Sequence, residues 1–231
     1  MSHELRTPLN SILGFSEMIG REMLGPVGHA RYREYAGLIQ ESGHYLLDLI
    51  NDILDIAKIE SGKYQLTRAE IDVADALRRA LHVMVPQFEE KGVTLEIKVA
   101  RAIPAIDADA RAVRQIIFNL LSNALKFTPA GGRASVGLAA AEGALELAVS
   151  DTGIGISEGD LKRLARPFEQ ADDAYVKGQS GTGLGLALVR ALTALHGGTL
   201  TIRSKRGSGT SVTVSLPLTA KAETPAELKA A

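Results

Sequence analysis

Cysteine is absent from the 231-residue chain, so it can form neither a disulfide nor a thiolate metal site. An excess of one charge is also absent, because 26 basic residues face 27 acidic ones and leave a net charge of -1. This balance gives no global electrostatic reason to bind nucleic acid or an anionic membrane. No signal peptide is visible in this sequence, nor is a run of the roughly 18 apolar residues that a membrane span needs. We therefore expect a cytoplasmic chain without nucleic-acid or membrane contact, while membrane anchoring of a longer protein stays open.

Apolar residues in the first 60 positions follow a heptad pattern, which we call the apolar seam. Its steps of three and four run from Leu5 to Met23 and again from Tyr35 to Ile56. The glycine- and proline-containing segment 25–30 separates the two runs, which predicts two long helices joined by a turn. A hairpin cannot bury so long a seam alone, so another domain covers it or a second copy closes a four-helix bundle. We favour the homodimer.

Beyond residues 60–66, which contain a glycine and lose the heptad, helical and strand patterns are mixed. Strands are predicted over 93–100, 134–140, 145–151, 199–204 and 210–217. Helices are predicted over 72–92 with an interruption around Pro86, over 109–127 and over 183–198. This order predicts an α+β sandwich with a mixed sheet and helices on one face. We place the hairpin at 1–62, the sandwich domain at 63–218 and a disordered tail at 219–231.

Two glycine-rich segments, 150–156 and 178–188, lie at the end of a predicted strand and the start of a predicted helix. Glycine lets backbone N–H groups approach phosphate oxygens closely, and a helix start adds a favourable dipole. The carboxylate of Asp151 suits the exocyclic amine of adenine and would oppose the carbonyl of guanine. Together these features favour a site for an adenine nucleotide over ordinary glycine turns.

The predicted helix over 109–127 carries Asn119, Asn123 and Lys126 on one face. Asparagine is disfavoured inside helices, so two of them in an otherwise apolar helix need an explanation beyond surface decoration. Their side-chain oxygens are hard ligands of the kind that Mg²⁺ prefers, and Lys126 suits phosphate.

Five segments in this order resemble the H, N, G1, F and G2 boxes of sensor histidine kinases of two-component systems: HELRTPLN (3–10), NLLSNALKF (119–127), DTGIGI (151–156), PFEQ (167–170) and GTGLGLAL (181–188). The resemblance covers nearly the whole chain, and residues 31–64 are more particularly similar to the PleC/DivJ group of cell-cycle kinases. It implies ATP- and Mg²⁺-dependent autophosphorylation on histidine, phosphotransfer to an aspartate of a response regulator, and a phosphatase activity on that regulator.

The resemblance also implies roles for individual residues. His3 corresponds to the phosphoacceptor, Glu4 to the group that orients its ring, and Thr7 to the residue that orients water for hydrolysis of an aspartyl phosphate. Asn123 corresponds to the Mg²⁺ ligand. The implied nucleotide contacts are Asn119, Asn123, Lys126, Phe127, Asp151, Gly153, Gly155, Gly181, Thr182, Gly183, Leu184 and Gly185. Residues 157–180 correspond to a lid over the nucleotide, anchored by Phe168.

Two alternatives belong to other functional classes. A pseudokinase scaffold would bind a response regulator without turnover, but its usual mark is a lost phosphoacceptor or glycine, and this chain keeps both. A gyrase-type or chaperone-type ATPase would lack the hairpin and would carry a glutamate where this chain has Asn119.

Overall fold

The computed structural model describes residues 2–23, 25–161 and 183–218. The chain divides into two units, Met1–Tyr64 and Gln65–Ala231. The helices are α1 (Ser2–Gly20), α2 (Ala30–Glu60), α3 (Val73–Glu90), α4 (Ala110–Phe127), α5 (Glu158–Leu161) and α6 (Gly185–Leu195). The strands are β1 (Arg68–Ile71), β2 (Thr94–Val99), β3 (Ile106–Asp109), β4 (Arg133–Ala141), β5 (Ala144–Asp151), β6 (Thr199–Lys205) and β7 (Gly209–Pro217). Within these ranges no helix has the length and hydropathy to cross a membrane.

The first unit contains the predicted helical hairpin, and side chains of the turn hold its shape. After α1, Glu22 takes a left-handed backbone conformation with φ of 52°. Its carboxylate accepts a hydrogen bond from the backbone N–H of Val27 at 3.3 Å. His29 then caps α2, because its Nδ1 accepts from the backbone N–H of Arg31 at 3.2 Å.

The two helices of the hairpin meet where one of them has small residues. Leu9 and Leu13 of α1 are buried, and a Cβ added at Gly43 of α2 would lie 2.7 Å from the Leu13 side chain. The Ser16 hydroxyl donates to the backbone oxygen of Ala36. The absence of bulk at Gly43 and Ala36 therefore lets the helices approach closely.

Much of the apolar seam faces outward in the single chain. Its half-exposed members include Ile12, Ile19, Met23, Tyr35, Ile39 and Leu46. The close contact inside the hairpin involves Leu9 and Ser16 of the seam together with Leu13, which the heptad pattern did not include. The hairpin thus leaves most of its seam uncovered, as expected for a hairpin that cannot bury such a surface alone.

The second unit contains the predicted mixed sheet. Its five strands lie in the order β2-β4-β5-β7-β6. β2 and β4 are parallel, and the other three neighbouring pairs are antiparallel. All five strands were predicted from the sequence.

The helices of this unit cover one face of the sheet. Along β4 and β5 every second residue is buried, which is the period of a strand with one covered face: Ala134, Val136, Leu138, Leu145, Leu147 and Val149. The helices α3, α4 and α6 contribute fully buried side chains such as Phe88, Leu121 and Leu188. The predicted fold class is confirmed.

α3 continues through Pro86, where the sequence predicted an interruption. Proline removes a backbone N–H and crowds the carbonyl four residues earlier. Both Pro86 and that residue, His82, lie on the exposed side of the helix. Water can therefore donate a hydrogen bond to the carbonyl of His82. Met84 and Phe88 are 4% and 0% exposed, so their burial keeps the last turn helical.

A second sheet, which was not predicted, consists of the antiparallel strands β1 and β3. Arg68 lies opposite Asp109, and Ile71 lies opposite Ile106. Strands of four residues are too short to show a clear period of two. Because β3 leads directly into α4, this small sheet supports the start of the helix that carries Asn119 and Asn123.

Asp109 caps α4 and binds the segment that precedes β1. Its Oδ1 accepts from the backbone N–H groups of Arg111 and Ala112 at 2.8 and 3.1 Å, and its Oδ2 accepts from that of Thr67 at 2.8 Å. Burial alone would raise the pKa of Asp109, but these three bonds together hold it below its usual value.

His196 joins the end of α6 to the start of α4. It is 3% exposed, and its Nε2 accepts from the backbone N–H of Asp109 at 3.1 Å. Nδ1 must then carry the proton that it shares with the backbone oxygen of Leu192 at 2.7 Å. Burial and the charge of Arg68 lower the pKa of His196, although the Leu192 carbonyl and the carboxylates of Asp109 and Asp107 oppose the shift.

We expect His196 to make the second unit less stable in mild acid. Its pKa is lowered on folding, so the unfolded chain binds the proton more readily and stability falls as the pH drops below about 6.5. His196→Gln should lower the unfolding temperature at pH 7.5 but lose less further stability between pH 7.5 and 5.5. Calorimetric unfolding at both pH values tests this, with exposed His82→Gln as the control. An equal pH response in wild type and His196→Gln would contradict it.

Candidate functional site

α4 carries a polar face beside its core contacts. Asn119, Asn123 and Lys126 are half-buried on this face. The buried residues of the helix are Ala112, Val113, Ile116, Ile117, Leu120, Leu121 and Ala124. The apolar set fixes the orientation of α4, and this orientation places two amides and an ammonium in one row.

The two asparagines differ in their contacts. The Nδ2 of Asn119 donates to the backbone oxygen of Gly185 at 3.4 Å, so Asn119 connects α4 to the start of α6. Asn123 makes no side-chain hydrogen bond with any residue in the described ranges. Its amide oxygen is therefore available as a ligand.

Lys126 is a partly buried ammonium group. Its Nζ lies 4.8 Å from the centroid of the Phe127 ring, and burial lowers its pKa. Among the described residues, no carboxylate oxygen lies within 4.0 Å of this nitrogen. A partly desolvated cation without such a partner suits an anionic ligand.

Asp151 ends β5, and one of its carboxylate oxygens is held by two backbone groups. Oδ1 accepts from the N–H of Gly153 at 2.8 Å and from the N–H of Thr210 at 3.3 Å. Burial raises the pKa of Asp151, and these two bonds offset part of the shift. No described residue donates to Oδ2, which leaves that oxygen free to accept from a ligand.

Gly153 and Gly155 allow close backbone packing around this carboxylate. A Cβ at Gly153 would lie 2.3 Å from the backbone oxygen of Phe127. Gly155 has φ of +63°, and a Cβ there would lie 2.0 Å from the backbone oxygen of Lys205. The absence of a side chain at these two positions lets the 152–157 loop fit between α4 and the β6–β7 hairpin.

The start of α6 supplies the second glycine-rich segment. Leu184 is fully buried and occupies the N-cap position without a side-chain hydrogen bond to the helix. Gly183 has φ of +70°. Gly181, Thr182, Phe168 and most of the predicted lid, residues 162–180, lie outside the described residues.

The predicted phosphoacceptor group lies in the first unit. His3, Glu4 and Thr7 all fall within α1, with His3 and Thr7 one helical turn apart. The structure thus places the predicted site residues in two groups, one on the hairpin and one around Asp151 and α4.

Two residues that support the second group were not predicted. The Nζ of Lys91 donates to the backbone oxygens of Leu125 and Lys126 at 2.7 and 2.8 Å, where a helix end leaves carbonyls without helical partners. Ser204 accepts from the backbone N–H of Ile156 at 2.8 Å. A lysine in a charged stretch and a serine in a strand carry no sequence signal for such roles.

Two protein families match the chain. Residues 1–62 match the His Kinase A (phospho-acceptor) domain. Residues 108–220 match the family of histidine kinase-, DNA gyrase B- and HSP90-like ATPases. The two matches fall in the hairpin and in the unit that contains Asp151.

The curated relatives include histidine kinases. The histidine protein kinase DivJ of Caulobacter vibrioides is 51% identical over 218 residues, which cover 94% of this chain and 36% of DivJ. The cell-division control histidine kinase PdhS of Brucella canis is 39% identical over 228 residues, which cover 95% of this chain and 22% of PdhS. The chain therefore spans only a part of the length of these relatives.

A solved structure, full-length ShkA in complex with AMPPNP, resembles this chain. The matched region covers 96% of this chain and 45% of ShkA. The TM-score is 0.79 and the sequences are 34% identical.

We expect Asp151→Asn to separate nucleotide binding from stability. The amide oxygen can still accept from Gly153 and Thr210, but the amide nitrogen cannot act as the acceptor that we expect Oδ2 to provide for the amine of adenine. Affinity for ATP should fall about tenfold to a hundredfold, the value of a charged hydrogen bond. The unfolding temperature should not fall, because a buried charge is removed.

Titration calorimetry and thermal unfolding test both parts. Asp75→Asn on the surface of α3 is the matched control and should bind ATP like the wild type. Unchanged ATP affinity in Asp151→Asn would contradict the assignment.

Proposed function

The chain belongs to the histidine kinases of two-component systems, and we propose that it transfers the γ-phosphoryl group of ATP to His3 and from there to an aspartate of a response regulator. The observation that carries this proposal is the arrangement around α4. The backbone N–H of Ile154 donates to the oxygen of Phe127 at 3.3 Å, which brings the loop after Asp151 against the end of the helix that carries Asn119, Asn123 and Lys126.

The arrangement suits ATP in two ways. Oδ2 of Asp151 can accept from the exocyclic amine of adenine, and this acceptor disfavours a base with a carbonyl at the same position. Lys126 is a partly buried cation without a described carboxylate partner, so it can balance charge on the phosphates. We propose that three residues line the pocket for the base: Phe127, Gly153 and Gly155. The residues that we place along the phosphates are Gly181, Thr182, Gly183, Leu184 and Gly185.

Magnesium fits this site through Asn123. The described residues contain no cluster of three His, Cys, Asp or Glu side chains that could form a cage for a metal. A single amide oxygen is nevertheless sufficient, because Mg²⁺ commonly takes one or two protein ligands and completes its shell with water and substrate phosphates. When bound, the ion would neutralise charge on the phosphates.

The chemistry on the hairpin needs a bare nitrogen on His3. We propose that the carboxylate of Glu4 accepts a hydrogen bond from the protonated ring nitrogen of His3. The other ring nitrogen is then unprotonated and free to attack. The nitrogen–phosphorus bond forms as the bond between the γ-phosphorus and the departing ADP oxygen breaks, in line with the attack. The products are ADP and a phosphohistidine that can pass its phosphoryl group to a carboxylate.

We further propose that the protein dephosphorylates its regulator. Thr7 lies one helical turn after His3 on α1, a position from which a hydroxyl could orient a water molecule toward an aspartyl phosphate held near His3. The two activities would then share one face of the hairpin.

The uncovered apolar surface of the hairpin supports a homodimer. Large side chains that are between 42% and 66% exposed occur on both helices, and they include Ile12, Phe15, Ile19, Tyr35, Leu38, Ile39, Tyr45 and Leu46. So many exposed large apolar side chains are uncommon on a monomer, and a second hairpin would bury them in a four-helix bundle. We accordingly assign residues 1–62 to dimerisation and phosphotransfer, and residues 63–218 to ATP binding.

We expect His3→Ala to abolish autophosphorylation while ATP binding persists. The substitution removes the nucleophile but none of the groups around Asp151. Incubation with γ-labelled ATP and Mg²⁺ should give acid-labile, base-stable label in the wild type and only background in the variant. His44→Ala, an exposed histidine of the same hairpin, is the control and should keep its label. Label in His3→Ala at the wild-type level would refute the phosphoacceptor assignment.

We expect Thr7→Ala to impair the phosphatase activity selectively. Loss of a group that orients water should slow regulator dephosphorylation by about 100-fold, whereas autophosphorylation should stay within about twofold. The release of phosphate from a phosphorylated receiver domain measures the first rate, and labelled ATP measures the second. Thr7→Ser keeps the hydroxyl and should restore most of the activity. Equal losses in both reactions would show that the two roles are not divided in this way.

A further inference from the structure

Ser204 lies in a row of side chains that crosses three neighbouring strands. Asp151 of β5 pairs with Thr210 of β7, and Thr210 pairs with Ser204 of β6. Residues directly opposite one another in antiparallel strands point to the same face of a sheet. The half-buried Ser204 therefore stands two strands away from the carboxylate that we assign to adenine.

The hydroxyl of Ser204 uses its full hydrogen-bonding capacity. It accepts from the backbone N–H of Ile156 at 2.8 Å and donates to the backbone oxygen of Gly209 at 2.9 Å. Its third contact is the hydroxyl of Thr210 at 2.9 Å. A serine hydroxyl has one donor and two acceptor sites, so Thr210 must be the donor in this last bond. One hydroxyl thus connects the 152–157 loop to the turn of the β6–β7 hairpin.

The two segments that Ser204 connects are the ones that hold Asp151. The loop supplies the N–H of Gly153 and the hairpin supplies the N–H of Thr210, and both donate to Oδ1. The same segments meet again where the N–H of Gly207 donates to the oxygen of Ile154 at 2.7 Å. The orientation of the carboxylate therefore depends on the distance between loop and hairpin.

We propose that Ser204 is a positioning residue for recognition of the base. By holding the loop to the hairpin, it keeps Oδ1 of Asp151 occupied and presents Oδ2 to the exocyclic amine of adenine. This inference rests on the proposed ATP-binding function. Its specific consequence is that Ser204 controls how well the site distinguishes an amine from a carbonyl on the base, although it does not touch the base.

Inosine triphosphate is the sharpest probe, because it differs from ATP by a carbonyl in place of the amine. The wild type should bind ATP more tightly than inosine triphosphate. In Ser204→Ala the loop and the hairpin lose the hydrogen bonds of this hydroxyl, so the carboxylate can turn more freely. Affinity for ATP should then fall about tenfold, while affinity for inosine triphosphate should change less than about threefold.

The experiment is titration calorimetry of the full chain with Mg²⁺ and each nucleotide, at a temperature where thermal unfolding shows every variant to be folded. Ser204→Thr keeps the hydroxyl and should restore the preference. Ser204→Cys keeps the volume with a weaker hydrogen-bonding group, so it should lower the preference in the same direction even where Ser204→Ala proves unstable.

Ser150→Ala is the matched control. Ser150 precedes Asp151 on β5, and its hydroxyl donates to that of Ser211 on β7 at 2.8 Å. Adjacent residues point to opposite faces of a strand, so this variant removes a similar inter-strand bond away from Asp151. It should keep the wild-type preference for ATP.

The outcomes separate the two levels of inference. A wild type that binds no ATP would overturn the proposed function and this inference with it. The wild type could bind ATP normally while Ser204→Ala and Ser204→Cys both keep its ratio of affinities for ATP and inosine triphosphate. That result would overturn only the role of Ser204. An equal loss for both nucleotides, or the same change of ratio in Ser150→Ala, would also overturn it, because either result describes a general effect on stability.

Discussion

The second unit depends on close contacts between backbone segments around one half-buried carboxylate, that of Asp151. A Cβ at Gly209 would lie 1.9 Å from the backbone oxygen of Asp151, and a Cβ at Gly155 would lie 2.0 Å from that of Lys205. Only glycine allows such contacts at these positive φ angles. The packing brings two N–H groups to one oxygen of Asp151 and leaves the other oxygen for a ligand. Burial raises the pKa of this carboxylate, so its ionised form is kept at some cost in stability.

Packing of α4 against the hydrophobic core determines where its polar side chains lie. Its apolar residues fix the rotation of the helix, and both of its ends are held. Asp109 caps the start and connects it to Thr67 and to His196 of the chain after α6, whereas Lys91 binds the last carbonyls. A helix fixed in rotation and at both ends can hold the side chains of Asn123 and Lys126 in place, although neither side chain makes a hydrogen bond with a described residue. The core thereby does part of the positioning that a ligand site needs.

Long elements with a clear period were predictable from the sequence. Very short strands were not, and neither was a helix whose packing overrides an internal proline. The five strands of the large sheet are six to nine residues long and alternate, and α4 shows an apolar stripe with Asn119 and Asn123 on the face beside it. β1 and β3 have only four residues each, so their pairing is visible only in three dimensions. Pro86 suggested a break that the burial of Phe88 overrides. The apolar seam predicted a hairpin, but it did not show that Leu13 packs against Gly43, because two apolar stripes on one helix have the same local pattern.

The sequence by itself determined the two-part organisation, the mixed sheet and the identity of the chemical groups: an imidazole on a helix, two amides and an ammonium on another, and a carboxylate at a strand end. These follow from period, spacing and residue type, which are local properties of the chain. Only the tertiary structure decided that Gly153 and Gly155 serve backbone packing, that Lys91 holds the end of α4, and that Ser204 lies in a row with Asp151. Those relations join residues that are distant in the sequence, and they arise from how strands pair and how loops and helices pack in the folded chain.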